Sequence, residues 1–309
     1  MRTRARSAFL MVPLLAFVFL GGYFLMAGVF VLSLLAINEF CAAFGEKRPA
    51  KWVLVTSLIL LYCGVVVLNL DIYHGNNPYY GPEFLYECVI TPYLSLNKSG
   101  VFWIWAPLWT FLSLILAFIS MFSMEKRDLP EGLATIAGVF YINFLAIHLT
   151  LVDIGFPAGS SGINIGDFIR IPGLHSYVWI VVLAAFGTDI FAYFTGKLFG
   201  KHKLCPSISP KKTVEGSIGG VAGSVVLCGL FGYFFLPGGF VVCIIIGIVG
   251  GIVSQLGDLS ASVMKRKMGI KDWSSMIPGH GGVLDRIDSL LFTAPMVYYI
   301  LLLKEWFIN

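Results

Sequence analysis

The residues best suited to chemistry lie between Asp258 and Asp288, in DLSASVMKRKMGIKDWSSMIPGHGGVLDRID. This stretch of 31 residues holds nine charged side chains, about a quarter of the 38 in the 309-residue chain. Apolar runs flank it on both sides, and charge beside hydrocarbon is costly enough to mark a functional region. If the preceding apolar helix continues through Asp258, Ser262 at i+4 and Lys265 at i+7 share its face. A carboxylate, a hydroxyl and an ammonium on one stripe could hold a divalent cation and a phosphate together. Downstream, Pro278, Gly279, Gly281 and Gly282 surround His280, and an apolar run resumes at Val283. A Gly-rich turn opening into a helix presents main-chain N–H groups and the positive end of the dipole to phosphate. Asp285 and Asp288 fall in the first turns of that helix. Asp285 there would favour the helix start and could also reach a metal. His280 is the only histidine in a charged cluster, and two roles stay open for it, a phosphate contact or a hydrogen bond within the turn. His74, His148, His175 and His202 read as incidental.

A second constellation precedes the first. Asp189, in DIFAYFTGK, sits inside an apolar run about two turns from its charged end, a place where carboxylates usually face a polar interior. It is a further candidate metal ligand. Then follows KLFGKHKLCPSISPKKTVEGSIGG, with lysines at 197, 201, 203, 211 and 212. The first three read as anchors on an anionic membrane surface. In contrast, Ser209-Pro210-Lys211-Lys212-Thr213-x-Glu215-Gly216 packs hydroxyls, ammoniums and a turn against a helix start, which suits a triphosphate. Walker-A, HExxH and Ser-His-Asp patterns do not occur.

Ser262-x-x-Lys265-Arg266, then Lys271-Asp272, then Pro278-x-His280-Gly281-Gly282-x-x-Asp285-Arg286-x-Asp288 resembles the signature of the bacterial phosphatidate cytidylyltransferase (CDP-diacylglycerol synthase) family. The Ser209–Gly216 block and the DIFAY segment resemble that family's preceding blocks, so the likeness covers about residues 185–290. The resemblance implies transfer of the cytidylyl group of CTP to phosphatidate, giving CDP-diacylglycerol and pyrophosphate, with Mg²⁺ as cofactor and room for a second cation. The expected metal carboxylates are Asp258 and Asp285, with Ser262 and Lys265 completing the catalytic set. Lys211, Lys212, Lys265 and Arg266 would take the CTP phosphates, with His280, Gly281 and Gly282 beside them. Lys271 and Arg286 would take the phosphatidate phosphate. Asp272 and Asp288 stay open between direct roles and pairing with Lys or Arg. Two rivals stand beside this reading: a nucleotide-dependent enzyme on another lipid phosphate or polyprenol, and an ion-coupled transporter. The transporter reading suffers because the charges cluster at one face rather than at the midplane.

The elements that must position these groups are membrane helices. The chain is 58% hydrophobic and only 12% charged, against about 25% charged in ordinary soluble domains. Its mean hydropathy is +0.85. Runs of 18 or more apolar residues cross a ~30 Å hydrocarbon core, and their continuous pattern argues for helices over barrel strands. Apolar runs occupy about 52–69, 101–122, 132–152, 174–196, 217–236, 239–257 and 284–303. Residues 9–37 carry no charge and are broken by Gly21-Gly22, so they form one long span or two. Charge decides for two. With nine spans, 18 of the 21 Lys and Arg fall on the side of the N-terminus, leaving Lys98, Arg170 and Lys304 opposite. The expectation is an all-α polytopic membrane protein of about nine spans, in the inner (cytoplasmic) membrane, with the N-terminus and active site facing the cytoplasm. Three blocks follow: 1–100 with three spans, 101–173 with two, and 174–309 with the catalytic motifs. The loop 70–100 reads as an aromatic interfacial cap and 154–173 as a Gly/Pro-rich outer connector. Six scattered cysteines without a C-x-x-C pair offer neither a disulfide framework nor a thiolate metal site. A net charge of +4 gives no reason to expect nucleic acid as a partner. A homodimer is compatible with the sequence.

Overall fold

The computed structural model describes residues 12–45, 48–75, 101–122, 129–156, 163–165, 169–171, 176–236, 239–277 and 281–308. The expected loop reading of 76–100 and the candidate His280 lie outside these residues. Among the described residues the protein is all-α apart from two small ribbons, and it falls into two compact units, 10–173 and 174–309.

The first unit holds α1 (Val12–Leu20), α2 (Gly22–Ala43), α3 (Lys51–Gly75) and α4 (Val101–Phe122). One further helical rod follows: α5 (Leu129–Gly138), a π-helix (Val139–Phe144) and α6 (Leu145–Gly155). The break between α1 and α2 falls at the glycine pair, where Gly21 and Gly22 both have positive φ (60° and 52°). Several buried polar groups of this unit are satisfied across helices, as hydrocarbon favours. Asn143 Nδ2 donates to Leu54 O, Trp109 Nε1 donates to Ser57 O, and the Ser57 and Ser113 hydroxyls share a bond. The widened π turn shifts the hydrogen-bond register by one residue, and the His148 ring meets the Phe144 carbonyl at 2.7 Å. In the connector expected over 154–173, β1 (Ile163–Ile165) pairs antiparallel with β2 (Ile169–Ile171), a ribbon the sequence reading did not anticipate.

The second unit carries the charged motifs. It runs α7 (Val178–Phe199), β3 (Lys203–Cys205), β4 (Ser209–Thr213), α8 (Val214–Phe235), α9 (Phe240–Lys267) and α10 (Leu284–Ile308). Its core is Ile180, Val181, Ala184 and Ala185 of α7 against Cys228, Ile246, Leu291, Ala294 and Val297 of the other helices. Between lipid-exposed helices, small residues let backbones approach closely. A Cβ on Gly216 would lie 2.8 Å from Ala192 O, so α7 and α8 touch through main chain beside the site.

Seven helices among the described residues are long and apolar enough to cross a membrane: Gly22–Ala43, Trp105–Phe122, Leu129–Gly155, Val178–Phe199, Val214–Phe235, Phe240–Lys267 and Leu284–Lys304. This is a membrane protein. The two remaining expected spans are represented there by shorter apolar pieces, the nine-residue α1 and Lys51–Val66. α9 is 28 residues long, about 42 Å at 1.5 Å per residue. Asp258 sits 18 residues into it, roughly 27 Å from its start. A ~30 Å core therefore leaves Asp258 at the interface and the turns through Lys267 beyond it. The helix stops there for a local reason. Gly269 adopts φ +72°, its N–H donates to Arg266 O, and Ile270 N–H donates to Lys265 O. That is a Schellman ending, with Lys265, Arg266 and Lys267 complementing the negative end of the dipole.

Candidate active site

The site gathers where the charged end of α9 meets the start of α10, the later turns of α7 and the β3–β4 hairpin. Asp258 anchors it. Its Oδ2 pairs with Lys212 Nζ at 2.5 Å, and its Oδ1 accepts a long 3.5 Å bond from Ser262 Oγ one turn on. Each partner of that ion pair is about one-quarter exposed. Lys265, two turns on and buried, reaches Asp285 Oδ1 at 2.6 Å. This second pair is more deeply enclosed, with side chains 9% and 4% exposed. Asp285 Oδ2 accepts the N–H groups of Trp273 and Gly282, both at 2.9 Å. Gly281 has to be glycine: its φ is +84°, and a Cβ there would sit 2.8 Å from Asp285 Oδ2.

Each of the two expected metal carboxylates thus has one oxygen set by polar donors of the chain and the other capped by a lysine ammonium. Two more carboxylates stand nearby. Asp189 of α7 and Asp288 of α10 both lie within electrostatic reach of Asp258. Ser289 links them, since its hydroxyl donates to Asp189 Oδ2 at 3.3 Å and its N–H donates to Asp288 Oδ1 at 2.7 Å. Gly257 permits this crossing, because a Cβ there would lie 2.8 Å from Asp288 O. Arg286 lies within electrostatic reach of Asp189, and its buried Nε has no hydrogen-bond partner among the described residues. Lys212 Nζ likewise makes no hydrogen bond of ordinary geometry beyond its close ion pair. Two cationic donors are therefore held in the site with unused capacity.

A cavity of about 380 Å³ opens beside Asp258 and Asp189, between α7 and the hairpin, with Lys211, Lys212, Tyr193 and Gln255 in its wall. The hairpin is pinned. β3 pairs with β4 in register Lys203↔Thr213, and the Thr213 hydroxyl caps α8 by accepting Gly216 N–H at 3.1 Å. Arg266 bonds main chain here: its guanidinium donates to Ile208 O at the hairpin turn and to Ile270 O. Lys271 and Asp272 are exposed on the loop after α9, and Gly282 is buried.

Several participants were missed by reading the sequence. Gln255, whose side-chain amide donates to Ser217 O and Gly251 O, stood one turn before Asp258 as a polar residue in an apolar run. Ser289 stood next to Asp288. His202, read as incidental, holds Glu215 through its ring. Trp273 contributes a main-chain N–H, for which side-chain type gives no signal.

Among the described residues, no three Asp, Glu, His or Cys side chains converge into a cation cage. Mg²⁺ needs no such cage: it binds through one or two carboxylates, keeps waters and takes phosphate oxygens from the substrate. Hard carboxylate oxygens, oriented by other donors of the chain as ligating carboxylates usually are, fit that ion.

Residues 2–304 match the sequence profile described as the Cytidylyltransferase family. Among curated proteins, the chain is 32% identical over 303 residues to the phosphatidate cytidylyltransferase of Synechocystis sp., across 92% of this chain and 90% of that protein. It is 43% identical over 129 residues to the Bacillus subtilis phosphatidate cytidylyltransferase, covering 41% of this chain and 48% of that protein. The Haemophilus influenzae phosphatidate cytidylyltransferase is 48% identical over 131 residues, 40% of this chain and 43% of that protein. With interfacial carboxylates, buried cations and a profile match over nearly its whole length, the chain belongs to the cytidylyltransferase family.

Proposed function

We propose that this protein transfers the cytidylyl group of CTP to phosphatidate, releasing pyrophosphate and forming CDP-diacylglycerol. A phosphate oxygen of the lipid attacks the α-phosphorus of CTP. The bond from that phosphorus to the α–β bridging oxygen breaks, and pyrophosphate leaves with the electron pair. The nucleophile arrives already ionised, so no strong general base is required, and catalysis is mostly positioning and charge neutralisation. The observation that carries this reading is the lysine capping of two interfacial carboxylates, Lys212 on Asp258 and Lys265 on Asp285.

Asp258 and Asp285 would hold Mg²⁺, with Asp189 and Asp288 near enough to serve a second cation. When bound, the cation neutralises phosphate charge and fixes the in-line arrangement. Lys212 and Lys265 then turn from the carboxylates to the CTP phosphates, joined by Lys211 from the hairpin. Ser262 orders the free side of Asp258. Arg286, with its unused buried donor, and Lys271 take the phosphatidate phosphate, and Gly282 shapes the turn beneath them. Arg266 serves by tying the hairpin turn to the exit of α9. The exposed apolar face of α7, with Tyr193 at the cavity wall, gives the lipid a sideways approach. The bias of Lys and Arg, 18 of 21 on one side of the expected nine spans, supports a site facing the cytoplasm, and the inner membrane is the proposed location.

The test is pyrophosphate release by the purified full chain. Release should require CTP, phosphatidate and Mg²⁺ together and should stop with EDTA. Release without phosphatidate, or undiminished release with a polyprenol phosphate in its place, would overturn the assignment of the acceptor.

A further inference from the structure

The β3–β4 hairpin that carries Lys211 and Lys212 has three and five residues in its strands. A two-stranded ribbon of this size has little stability of its own, so the position of its lysines depends on outside ties. Three such ties are present. Arg266 holds the turn at Ile208 O. Lys212 is held by Asp258. The third tie is at the base, where Glu215, in the first turn of α8, turns back onto the chain leaving α7. Its carboxylate accepts Lys201 N–H at 3.0 Å, His202 N–H at 3.2 Å and the His202 ring Nδ1–H at 2.6 Å. Val214 N–H donates to His202 O at 2.9 Å, so nearly every polar group of His202 is bound to the start of α8. This clasp joins both ends of the hairpin at its root, beside the Lys203↔Thr213 pairing and the Thr195 Oγ1 bond to Gly216 O.

We infer that Glu215, with His202 as its partner, is a positioning residue for CTP: it keeps the root of the hairpin closed while Lys212 leaves Asp258 for phosphate. The inference rests on the transfer of Lys212 to substrate set out above. In the substrate-free protein three ties share the load. Once the nucleotide draws Lys212 away, Arg266 and Glu215 are the two of these side-chain ties that remain. Loss of Glu215 then lets the hairpin pivot about its turn, and displacement of a substrate-positioning group by about 1 Å can cost on the order of a hundredfold in rate. The effect should fall on CTP and spare phosphatidate, whose proposed ligands Arg286 and Lys271 lie on other elements.

The experiment uses the full chain in detergent with lipid substrate. Glu215→Ala should raise KM for CTP at least tenfold with KM for phosphatidate within about twofold, and Glu215→Gln, which keeps one acceptor oxygen, should fall between Ala and wild type. His202→Ala, which alters only an exposed ring, should raise KM for CTP more modestly and serves where Glu215→Ala folds poorly. In a Lys212→Ala background the Glu215→Ala effect should shrink to about threefold or less, because the group being positioned is gone. Tryptic cleavage at Lys201 or Lys203, read without substrate, should quicken in Glu215→Ala, which tests the clasp even if the acceptor assignment fails. Equal rises in both KM values, a full tenfold effect without Lys212, or unchanged proteolysis would each overturn the inference.

Discussion

Replacing Asp285 with Asn leaves Lys265 buried without its counter-charge. The amide oxygen of Asn can still accept from Trp273 and Gly282, so the turn keeps its two main-chain bonds, but the amide NH₂ now faces the Lys265 ammonium. The pair is 9% and 4% exposed. Removing one partner of a buried pair typically costs about 3–5 kcal/mol, most of it from the stranded charge. Asp258→Asn is a different perturbation, because its pair with Lys212 is about one-quarter exposed on each side. Solvent screening there reduces the loss to about 1 kcal/mol or less. Both variants should lose CTP-dependent pyrophosphate release, yet only Asp285→Asn should unfold early, by on the order of 10 °C in a thermal-shift assay at 2–4 °C per kcal/mol. The double variant Lys265→Met/Asp285→Asn removes both charges and should regain most of the lost stability while staying inactive. Equal melting temperatures for the two Asn variants, or no recovery in the double variant, would refute the claim that the Lys265–Asp285 pair is the more deeply buried of the two and ties α9 to α10.

Lys212→Ala should raise KM for CTP with melting changed by no more than a few degrees, since its ion pair is partly solvated; equal KM values in variant and wild type would remove Lys212 from the phosphate contacts. Gly281→Ala should be inactive and less stable by about 1–2 kcal/mol from its left-handed backbone alone, with more lost because the new Cβ would press on Asp285 Oδ2; wild-type melting and turnover in that variant would show that the turn adapts.

Much of the site was legible because the chemistry forces unusual residues into a hydrophobic chain. Ser262 and Lys265 do share the face of Asp258, since an apolar helix rarely ends before its charged turns are clear of hydrocarbon, and the i, i+4, i+7 spacing then fixes the face. The glycine pair at 21–22 does break the first apolar run. Other features lay beyond a one-dimensional reading. That Lys212 rests on Asp258 depends on a hairpin folding back across 46 positions, which no local spacing encodes. The approach of Asp189 and Asp288 to Asp258 depends on glycines at helix crossings, whose partners are chosen in three dimensions. Arg266 is a phosphate candidate by type, and the bond its guanidinium also makes to the Ile208 carbonyl, 58 positions away, is one that no local spacing encodes. Main-chain donors such as Trp273 N–H leave no signature in side-chain identity.

The distribution of charge also explains why such a site can wait in the substrate-free state at a membrane surface. Four carboxylates, at 189, 258, 285 and 288, would repel one another strongly where water is partly excluded. Lys212, Lys265 and Arg286 offset most of that repulsion, and two of them do so as close ion pairs. Arriving CTP and phosphatidate bring several negative charges, and a divalent cation brings two positive ones. Asp258 and Asp285 would hold a divalent cation in place of the lysines, and Lys212 and Lys265 would then meet the phosphates, so opposite charges would stay adjacent throughout. The same exchange accounts for the unequal depth of the two pairs. Lys212 stands on a hairpin at the cavity wall, where it can move toward a nucleotide entering from water. Lys265 stands deeper, on a membrane-crossing helix, where its pair with Asp285 joins α9 to α10 until phosphate competes for the ammonium.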